Sequence, residues 1–152
     1  MNPILLTVLV AMVPVIELRG AIPIGMGMGL EFWTAFFWGV VGNLLPVPFL
    51  ILFVRRVFAF MKAHWPRLRT LVEKLEERGR EKGKALSRYE WLGLLILVAI
   101  PLPGTGAWTG TLAASILKLD FKKSIIAVIL GVLVAGIIMG MISAGIFGLI
   151  RG

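Results

Sequence analysis

An acid and a base stand two residues apart inside an apolar stretch of this sequence. Glu17 and Arg19 belong to the motif Glu17-Leu18-Arg19-Gly20-Ala21-Ile22-Pro23, within an otherwise apolar run over 4–30. Ionisable side chains inside a membrane segment are costly and usually mark a path for a substrate or an ion. The guanidinium of Arg19 is suited to bind an anionic group through two hydrogen bonds. The carboxyl of Glu17 is suited to carry a proton, because burial disfavours its charged form.

The spacing of this pair matters for whether both groups reach one site. On a regular helix, side chains two positions apart do not face each other, whereas on an extended segment they point to the same side. Pro14 and Pro23 flank the pair and favour a break in the helix. We therefore expect an extended segment that sends Glu17 and Arg19 into one cavity. The alternative is a structural ion pair that stabilises an unwound segment.

A second motif, rich in proline and glycine, lies in the other half of the chain. It reads Pro101-Leu102-Pro103-Gly104-Thr105-Gly106-Ala107-Trp108-Thr109-Gly110. Its glycines let the backbone approach a ligand closely, and a helix that begins near Gly106 would turn its positive end to the same point. We expect an anion to bind between Arg19 and this motif, with Trp108 lining the cavity. The alternative is a packed turn where two chain reversals meet.

The composition places both motifs in a membrane protein. The chain is 59% hydrophobic and its mean hydropathy is +0.95. Four apolar stretches, over 4–30, 32–60, 91–117 and 124–150, each exceed the roughly 20 residues with which a helix crosses the hydrocarbon core. The net charge of +8 lies mainly in the block 55–88. Such a block is typical of a cytoplasmic loop on anionic lipid, so we expect no nucleic-acid partner.

The first and third stretches are interrupted midway by proline and glycine. Backbone groups freed at membrane depth must be buried in protein or line a cavity. Two re-entrant helical hairpins satisfy this requirement, and kinked spanning helices are the alternative. Re-entry keeps Lys118, Lys122 and Lys123 on the cytoplasmic side with the basic block, as the positive-inside rule favours. It also places both termini outside.

The pattern of the two halves predicts the fold class. We expect an all-α integral membrane protein built as an inverted repeat of two units. Each unit is a re-entrant helical hairpin followed by a long transmembrane helix. The chain then forms one membrane domain over 1–152, with a first repeat at 1–60, a basic cytoplasmic linker at 61–90 and a second repeat at 91–152. In the linker, the spacing of Leu68, Leu71, Val72 and Leu75 predicts a short amphipathic helix.

The two long helices differ in their expected packing. Asn43, Pro46 and Pro48 should kink or locally unwind the first. The second carries small residues at four-residue intervals, which favour close helix contact. These residues are Gly136, Gly140, Ala144 and Gly148. We expect this ridge to support a homodimer, and packing within one protomer is the alternative.

Signatures of enzymes and of metal sites are missing from the sequence. With no cysteine and one histidine, His64, the chain has neither a thiolate site nor a cluster of metal-ligand residues. The segment Gly79-Arg80-Glu81-Lys82-Gly83-Lys84 lacks the spacing of a phosphate-binding loop. We therefore expect no enzymatic activity, no metal and no cofactor.

The motifs resemble those of the small multidrug export family, which is similar to the wider DedA membrane proteins. The resemblance rests on Glu17-x-Arg19-Gly20-Ala21-Ile22-Pro23-x-Gly25, on Gly42-Asn43, and on Pro101-x-Pro103-Gly104-Thr105-Gly106-Ala107-Trp108-x-Gly110. It covers essentially the whole chain outside the basic loop. It implies a multi-pass transporter in the plasma (inner) membrane of a bacterium or archaeon. Some DedA proteins move lipid phosphates, and their acid and arginine near the first tip would correspond to Glu17 and Arg19.

Together these observations predict a proton-linked membrane transporter. Its expected substrate is amphipathic and anionic, either a drug-like molecule or a lipid phosphate, and membrane lipid surrounds the protein. The expected substrate- and proton-binding residues are Glu17, Arg19, Gly20, Pro23, Asn43, Pro101, Pro103, Gly104, Thr105, Gly106 and Trp108. The alternative function is a non-transporting membrane scaffold or assembly factor in which Glu17 and Arg19 only hold the fold.

Overall fold

Helices account for all the regular secondary structure in the described part of the chain. The computed structural model describes residues 2–74, 77, 89–102 and 105–151, apart from the side chains of residues 150 and 151. In chain order these ranges contain α1 (Pro3–Met12), α2 (Glu17–Gly27), α3 (Phe32–Leu44), α4 (Val47–His64), α5 (66–74), α6 (Glu90–Ala99), α7 (Ala107–Ile116) and α8 (Phe121–Arg151).

The first apolar stretch folds back on itself. The side chain of Asn2 caps α1 by accepting from the Ile4 amide at 2.9 Å, and α1 packs against both α2 and α3. The approach is close, because a Cβ on Gly25 of α2 would lie 2.6 Å from the Thr7 hydroxyl. Small residues allow this spacing between helices. A Cβ on Gly42, near the end of α3, would lie 2.9 Å from Cβ of Ala11, so the chain reversal over 13–16 lies near the end of α3, about halfway along the α3–α4 segment.

The break in this stretch is shorter and earlier than the sequence predicts. It occupies residues 13–16 and includes Pro14, and α2 begins at Glu17. Pro23 lies inside α2, which continues to Gly27. A proline removes only one helical hydrogen bond, here to the carbonyl of Arg19, and packing on α1 and α3 supports the rest of the helix. The predicted extended segment around Glu17 and Arg19 is therefore wrong.

The predicted kink in the first long helix is confirmed. α3 ends at Leu44 and α4 begins at Val47, with a turn at Leu45–Pro46. Pro46 and Pro48 lack the N–H groups that would continue the helical hydrogen bonds. With this kink, the segment Phe32–His64 spans 33 residues and is long and apolar enough to cross a membrane, as is Phe121–Leu149 with 29 residues.

The third apolar stretch also reverses direction. Glu90 and Trp91, at the start of α6, line the same small cavity as Asp120 and Lys123, which follow α7. The start and the end of the stretch are therefore neighbours, and the break after α6, described at 100–102 and 105–106, lies at the far end. There α6 approaches α8 closely, since a Cβ on Gly131 would lie 2.7 Å from Cβ of Val98.

Contacts between the two halves form the centre of the molecule. α2 and α3 pack against α8, and α4 packs against α7. Leu18 and Ile22 of α2 share a buried cluster with Val98 of α6 and with Val128 and Val132 of α8. A Cβ on Gly136, at the middle of α8, would lie 3.3 Å from Cδ1 of Leu18. The first chain reversal therefore lies beside the middle of α8.

The small-residue ridge on α8 is partly used within the protomer. Gly136 faces the ring of Phe36 and Gly140 faces the ring of Phe32, both on α3, whereas a Cβ on Gly145 or Gly148 would meet open space. The ridge therefore joins the two halves through its first part, and Ala144 and Gly148 remain exposed. The homodimer stays a prediction.

Residues 66–74 form the short helix that the leucine and valine spacing predicts. Val72 is only 2% exposed, while Leu71 is exposed. On the outer face, Nε of Arg69 donates to Oε1 of Glu73 at 2.8 Å. Leu75 lies outside the described residues, as does most of the later part of the basic block.

A substitution on the α8 ridge tests the packing between the halves. We expect Gly140→Leu to lower the free energy of unfolding by about 1–3 kcal/mol, the usual cost of overpacking, because its side chain collides with the ring of Phe32. Gly145→Leu is the matched control and should change the unfolding midpoint little. Thermal unfolding in mild detergent measures both. Equal stability of the two variants would contradict this packing.

The course of the third stretch can be tested by labelling. Single cysteines at Lys74 and Lys122 should both be shielded from an impermeant thiol reagent added outside, because a stretch that returns leaves both on the cytoplasmic side. Glu31→Cys, between α2 and α3, is the positive control and should be labelled from outside. Labelling of Lys122→Cys together with protection of Lys74→Cys would mean four plain spans.

Candidate functional site

The two chain reversals meet in the middle of the molecule. Glu17 and Arg19, in the first turn of α2, reach the segment that joins α6 to α7. The acid and the base of the first motif are therefore held by groups of the second motif and by the carbonyl of Ile100 just before it. The contacts fall into two sets, one for each charge.

Arg19 binds the carbonyl groups where α6 ends. Its guanidinium donates to the carbonyls of Ile100 (3.2 Å) and Leu102, and to the hydroxyl of Thr105 (2.9 Å). The Thr105 oxygen also lies 2.7 Å from the Ile100 carbonyl and 2.9 Å from the Leu102 carbonyl. The C-terminal end of a helix carries unpaired carbonyls and partial negative charge. A cation is therefore well placed there.

Glu17 binds the amide groups where α7 begins. Its side chain is only 2% exposed, and its Oε1 accepts from the Trp108 amide at 2.9 Å. The Ala107 amide also interacts with this carboxylate. The residue at the N-cap of α7 is Gly106, which has no side chain with which to cap the helix. The carboxylate of α2 supplies that cap from the other half of the chain, at the end where a helix favours negative charge.

Glu17 and Arg19 do not pair directly with each other. Both lie in described segments, and no ion pair joins their charged atoms there. The acid instead neutralises the positive end of α7, and the base neutralises the negative end of α6. We call these two sets of contacts, made by Glu17 and Arg19 to residues 100–108, the clasp.

Backbone conformation at the clasp explains why one glycine is required. Gly106 has φ +136°, a value that residues with a side chain rarely adopt. A Cβ at this position would also overlap Oε2 of Glu17. Glu17 itself has φ +52° and Val15 has φ +76°. Left-handed backbone at non-glycine residues is costly and often accompanies functional sites.

The remaining predicted site residues, apart from Asn43, lie in α2 or in the segment between α6 and α7. Gly20 lies in α2 and packs against Ile16, where a side chain would collide. Pro23 lies about one turn further along α2. Pro101 lies between the two carbonyls that Arg19 binds. Pro103 and Gly104 lie outside the described residues.

Several buried polar atoms near the clasp have no partner among the described residues. They include Oε2 of Glu17, Nε of Arg19 and the indole Nε1 of Trp108. Asn43, on α3, is fully buried, and neither its amide oxygen nor its amide nitrogen is bonded. It lies one turn after Gly39, where a Cβ would lie 3.1 Å from Cγ1 of Ile22 on α2. Buried polar groups normally have partners, so these atoms leave capacity for water or a ligand.

Sequence reasoning predicted the positive end of the helix near Gly106 but missed the carbonyls that hold Arg19. It selected Thr105, Gly106 and Trp108 for a hydroxyl, a close approach and an indole, whereas the carbonyls of Ile100 and Leu102 hold the base. The available signal was the Pro101 break, because a helix that ends before a proline leaves its last carbonyls unpaired. The sequence did not indicate which side chain would meet those carbonyls.

The comparisons with known proteins agree with a membrane role. A family model described as "Putative small multi-drug export protein" matches residues 17–138. The chain belongs to this family. No curated protein and no solved structure matches the chain. Membership of an export family, with two apolar helical segments long enough to cross a membrane, places the protein in a membrane and indicates a transporter-like, non-enzymatic role.

The close approach at Gly106 can be tested by a double-mutant cycle. We expect Gly106→Ala to lower the free energy of unfolding by about 1–3 kcal/mol through backbone strain, with a further loss from the collision with Glu17. In a Glu17→Ala background only the backbone cost should remain. Gly93→Ala, where a Cβ meets open space, is the control. Strict additivity of Gly106→Ala and Glu17→Ala would show that the two residues are not in contact.

Proposed function

We propose that this member of the export family is a proton-linked transporter of amphipathic, anionic substrates. The observation that carries the proposal is the clasp, in which one acid and one base hold the ends of two short helices from the other half of the chain. Such charges inside a membrane protein usually serve transport. The substrate is a drug-like anion or a lipid phosphate.

In this proposal the clasp is the closed state of the transporter. An anionic substrate competes with the carbonyls of Ile100 and Leu102 for the guanidinium of Arg19, which stays charged throughout. A proton on Glu17 weakens the contact with the amides of Ala107 and Trp108, because a neutral acid is a poorer acceptor than a carboxylate. Substrate and proton therefore act on the same contact between the halves. Asn43 and the Trp108 indole supply further polar groups.

The proposal includes an inverted repeat whose two units each contain a re-entrant hairpin. The contacts in the two halves correspond if α1 is matched with α6, α2 with α7, and α3–α4 with α8. α1 packs on α3 as α6 packs on α8, and α2 packs on α8 as α7 packs on α4. This correspondence supports an inverted repeat. We propose that α1–α2 and α6–α7 enter the membrane from opposite faces and turn back near its middle.

Charge positions support the re-entrant topology. Arg55 of α4 donates to the carbonyl of Leu119 at 2.7 Å, so the end of the third stretch lies beside the start of the basic block. A third stretch that spanned the membrane would separate these groups by the hydrocarbon core, about 30 Å. We propose a multi-pass protein of a bacterial or archaeal plasma membrane, with both groups in the cytoplasm. We also propose that the protein is related to the DedA proteins and that it forms a homodimer.

The scaffold alternative is favoured by one observation. In the described structure the terminal nitrogens of Arg19 and Oε1 of Glu17 are already bonded to protein groups. A clasp that never opens would be a structural support for two broken helices and nothing more. The two functions differ in whether the clasp must open, so a flux measurement separates them.

The proposal is tested by flux into proteoliposomes with and without a pH gradient, using a panel of amphipathic drugs and prenyl phosphates. Glu17→Gln should abolish gradient-driven flux while substrate binding stays measurable. Arg19→Lys should weaken binding about 10- to 100-fold, because hydrogen bonds to charged groups contribute about 1.5–3 kcal/mol.

Glu73→Gln and Arg69→Lys, at the exposed pair on α5, are the matched controls and should transport at the wild-type rate. If Glu17→Gln and Arg19→Lys fold and also transport at the wild-type rate, the clasp is structural. No flux of any panel member by the wild-type protein would favour the scaffold.

A further inference from the structure

A cavity of about 610 Å³ lies at the side of the molecule where the basic block begins. It is formed between α4 and the connection from α7 to α8. This volume is in the range of about 300–1,000 Å³ that is usual for small-ligand sites. It is lined by Arg55, Phe58, Ala59, Lys62, Ser115, Lys118, Leu119, Asp120 and Phe121. None of these residues belongs to the clasp.

The lining carries excess positive charge. Among the lining residues that the structure describes, Arg55, Lys62 and Lys118 are cations and Asp120 is the one acid. The carboxylate of Asp120 accepts from the Lys123 amide at 2.9 Å and so caps the start of α8. The N-terminal end of a long helix adds partial positive charge at the cavity rim. The site is therefore suited to an anion.

Arg55 is fixed at the wall of the cavity by a hydrogen bond. One terminal nitrogen donates to the carbonyl of Leu119 at 2.7 Å, which holds the side chain against the α7–α8 connection. Its Nε is buried and has no partner among the described residues, so the terminal nitrogens are the donors that can serve a ligand. A guanidinium held in place by one bond can offer its other donors to a phosphate at little cost in side-chain entropy.

The cavity also has an apolar wall, and its depth in the bilayer follows from the length of α4. Phe58, Phe121 and Leu119 face the same space as the cations. The rise from Pro46, near the middle of the Phe32–His64 segment, to Arg55 is about 14 Å at about 1.5 Å per residue. Half of the hydrocarbon core is about 15 Å. With Pro46 at the midplane of the bilayer and α4 along its normal, Arg55 would lie where the hydrocarbon core meets the lipid headgroups.

From the charge, the apolar wall and the depth we infer that this cavity binds the phosphate of an anionic membrane lipid. Arg55, Lys62 and Lys118 face the phosphate, and Phe58 and Phe121 contact the glycerol and the first methylene groups. Basic pockets between helices at the cytoplasmic surface suit such headgroups. A free phosphate ion shares the charge chemistry but makes no use of the apolar wall. The inference does not depend on transport.

The test is native mass spectrometry of the protein in neutral micelles, titrated with phosphatidylglycerol or phosphatidylcholine. The wild-type protein should bind its first phosphatidylglycerol about tenfold more tightly than phosphatidylcholine, since each cation near the headgroups contributes several-fold. Arg55→Gln combined with Lys62→Gln should remove this preference. Lys118→Gln alone should reduce it and serves as a second variant that leaves the Arg55–Leu119 bond in place.

The control combines Arg56→Gln with Lys122→Gln. It removes the same charge from neighbouring exposed positions on α4 and α8 that do not line the cavity, and it should keep the preference. Equal binding of the two lipids by the wild-type protein, or an equal loss in the cavity and control variants, would overturn the site. Displacement of the bound lipid by excess inorganic phosphate would overturn the lipid assignment in favour of a free anion.

Discussion

The structure depends on how backbone groups are satisfied at the break between α6 and α7, near the middle of a membrane protein. Lipid offers no hydrogen bonds, so every freed carbonyl and amide must find a partner within the protein. Here the partners are the two charged side chains of one helix turn. Arg19 donates to the carbonyls of Ile100 and Leu102, and Glu17 accepts from the backbone at the start of α7. The cost of burying each charge is offset by the helix end that it neutralises.

This arrangement ties together parts of the chain more than 80 residues apart. The close packing of α2 on α8 and of α4 on α7 brings the two breaks to the same point. Gly106 then allows the carboxylate of Glu17 to reach the amides without a collision. A contact made of charged groups and weakly paired backbone responds to a proton or to a competing anion, whereas an apolar contact does not. That property links the clasp to the proposed transport.

The sequence predicted the helical membrane class, the kink at Pro46 and the meeting of the two motifs. It did so because apolar length, proline position and ionisable residues have direct physical consequences. It placed the first break wrongly, since propensity alone could not weigh Pro23 against the packing of α2 on its neighbours. It also missed the pairing of Glu17 with α7 and of Arg19 with α6. Such partners depend on tertiary packing, which no local pattern encodes.

The most direct test of the clasp is the coupling energy between Arg19 and Thr105, whose side chains are hydrogen-bonded at 2.9 Å across the two halves. The free energy of unfolding in mixed micelles is measured for Arg19→Gln, Thr105→Ala and the double variant. The account predicts a coupling of about 0.5–3 kcal/mol, as for residues in one hydrogen-bonded network. The control pair is Arg19→Gln with Ser143→Ala, because the Ser143 hydroxyl is bonded within α8. The losses in the free energy of unfolding from these two substitutions should add. Additivity of Arg19→Gln and Thr105→Ala would contradict the account.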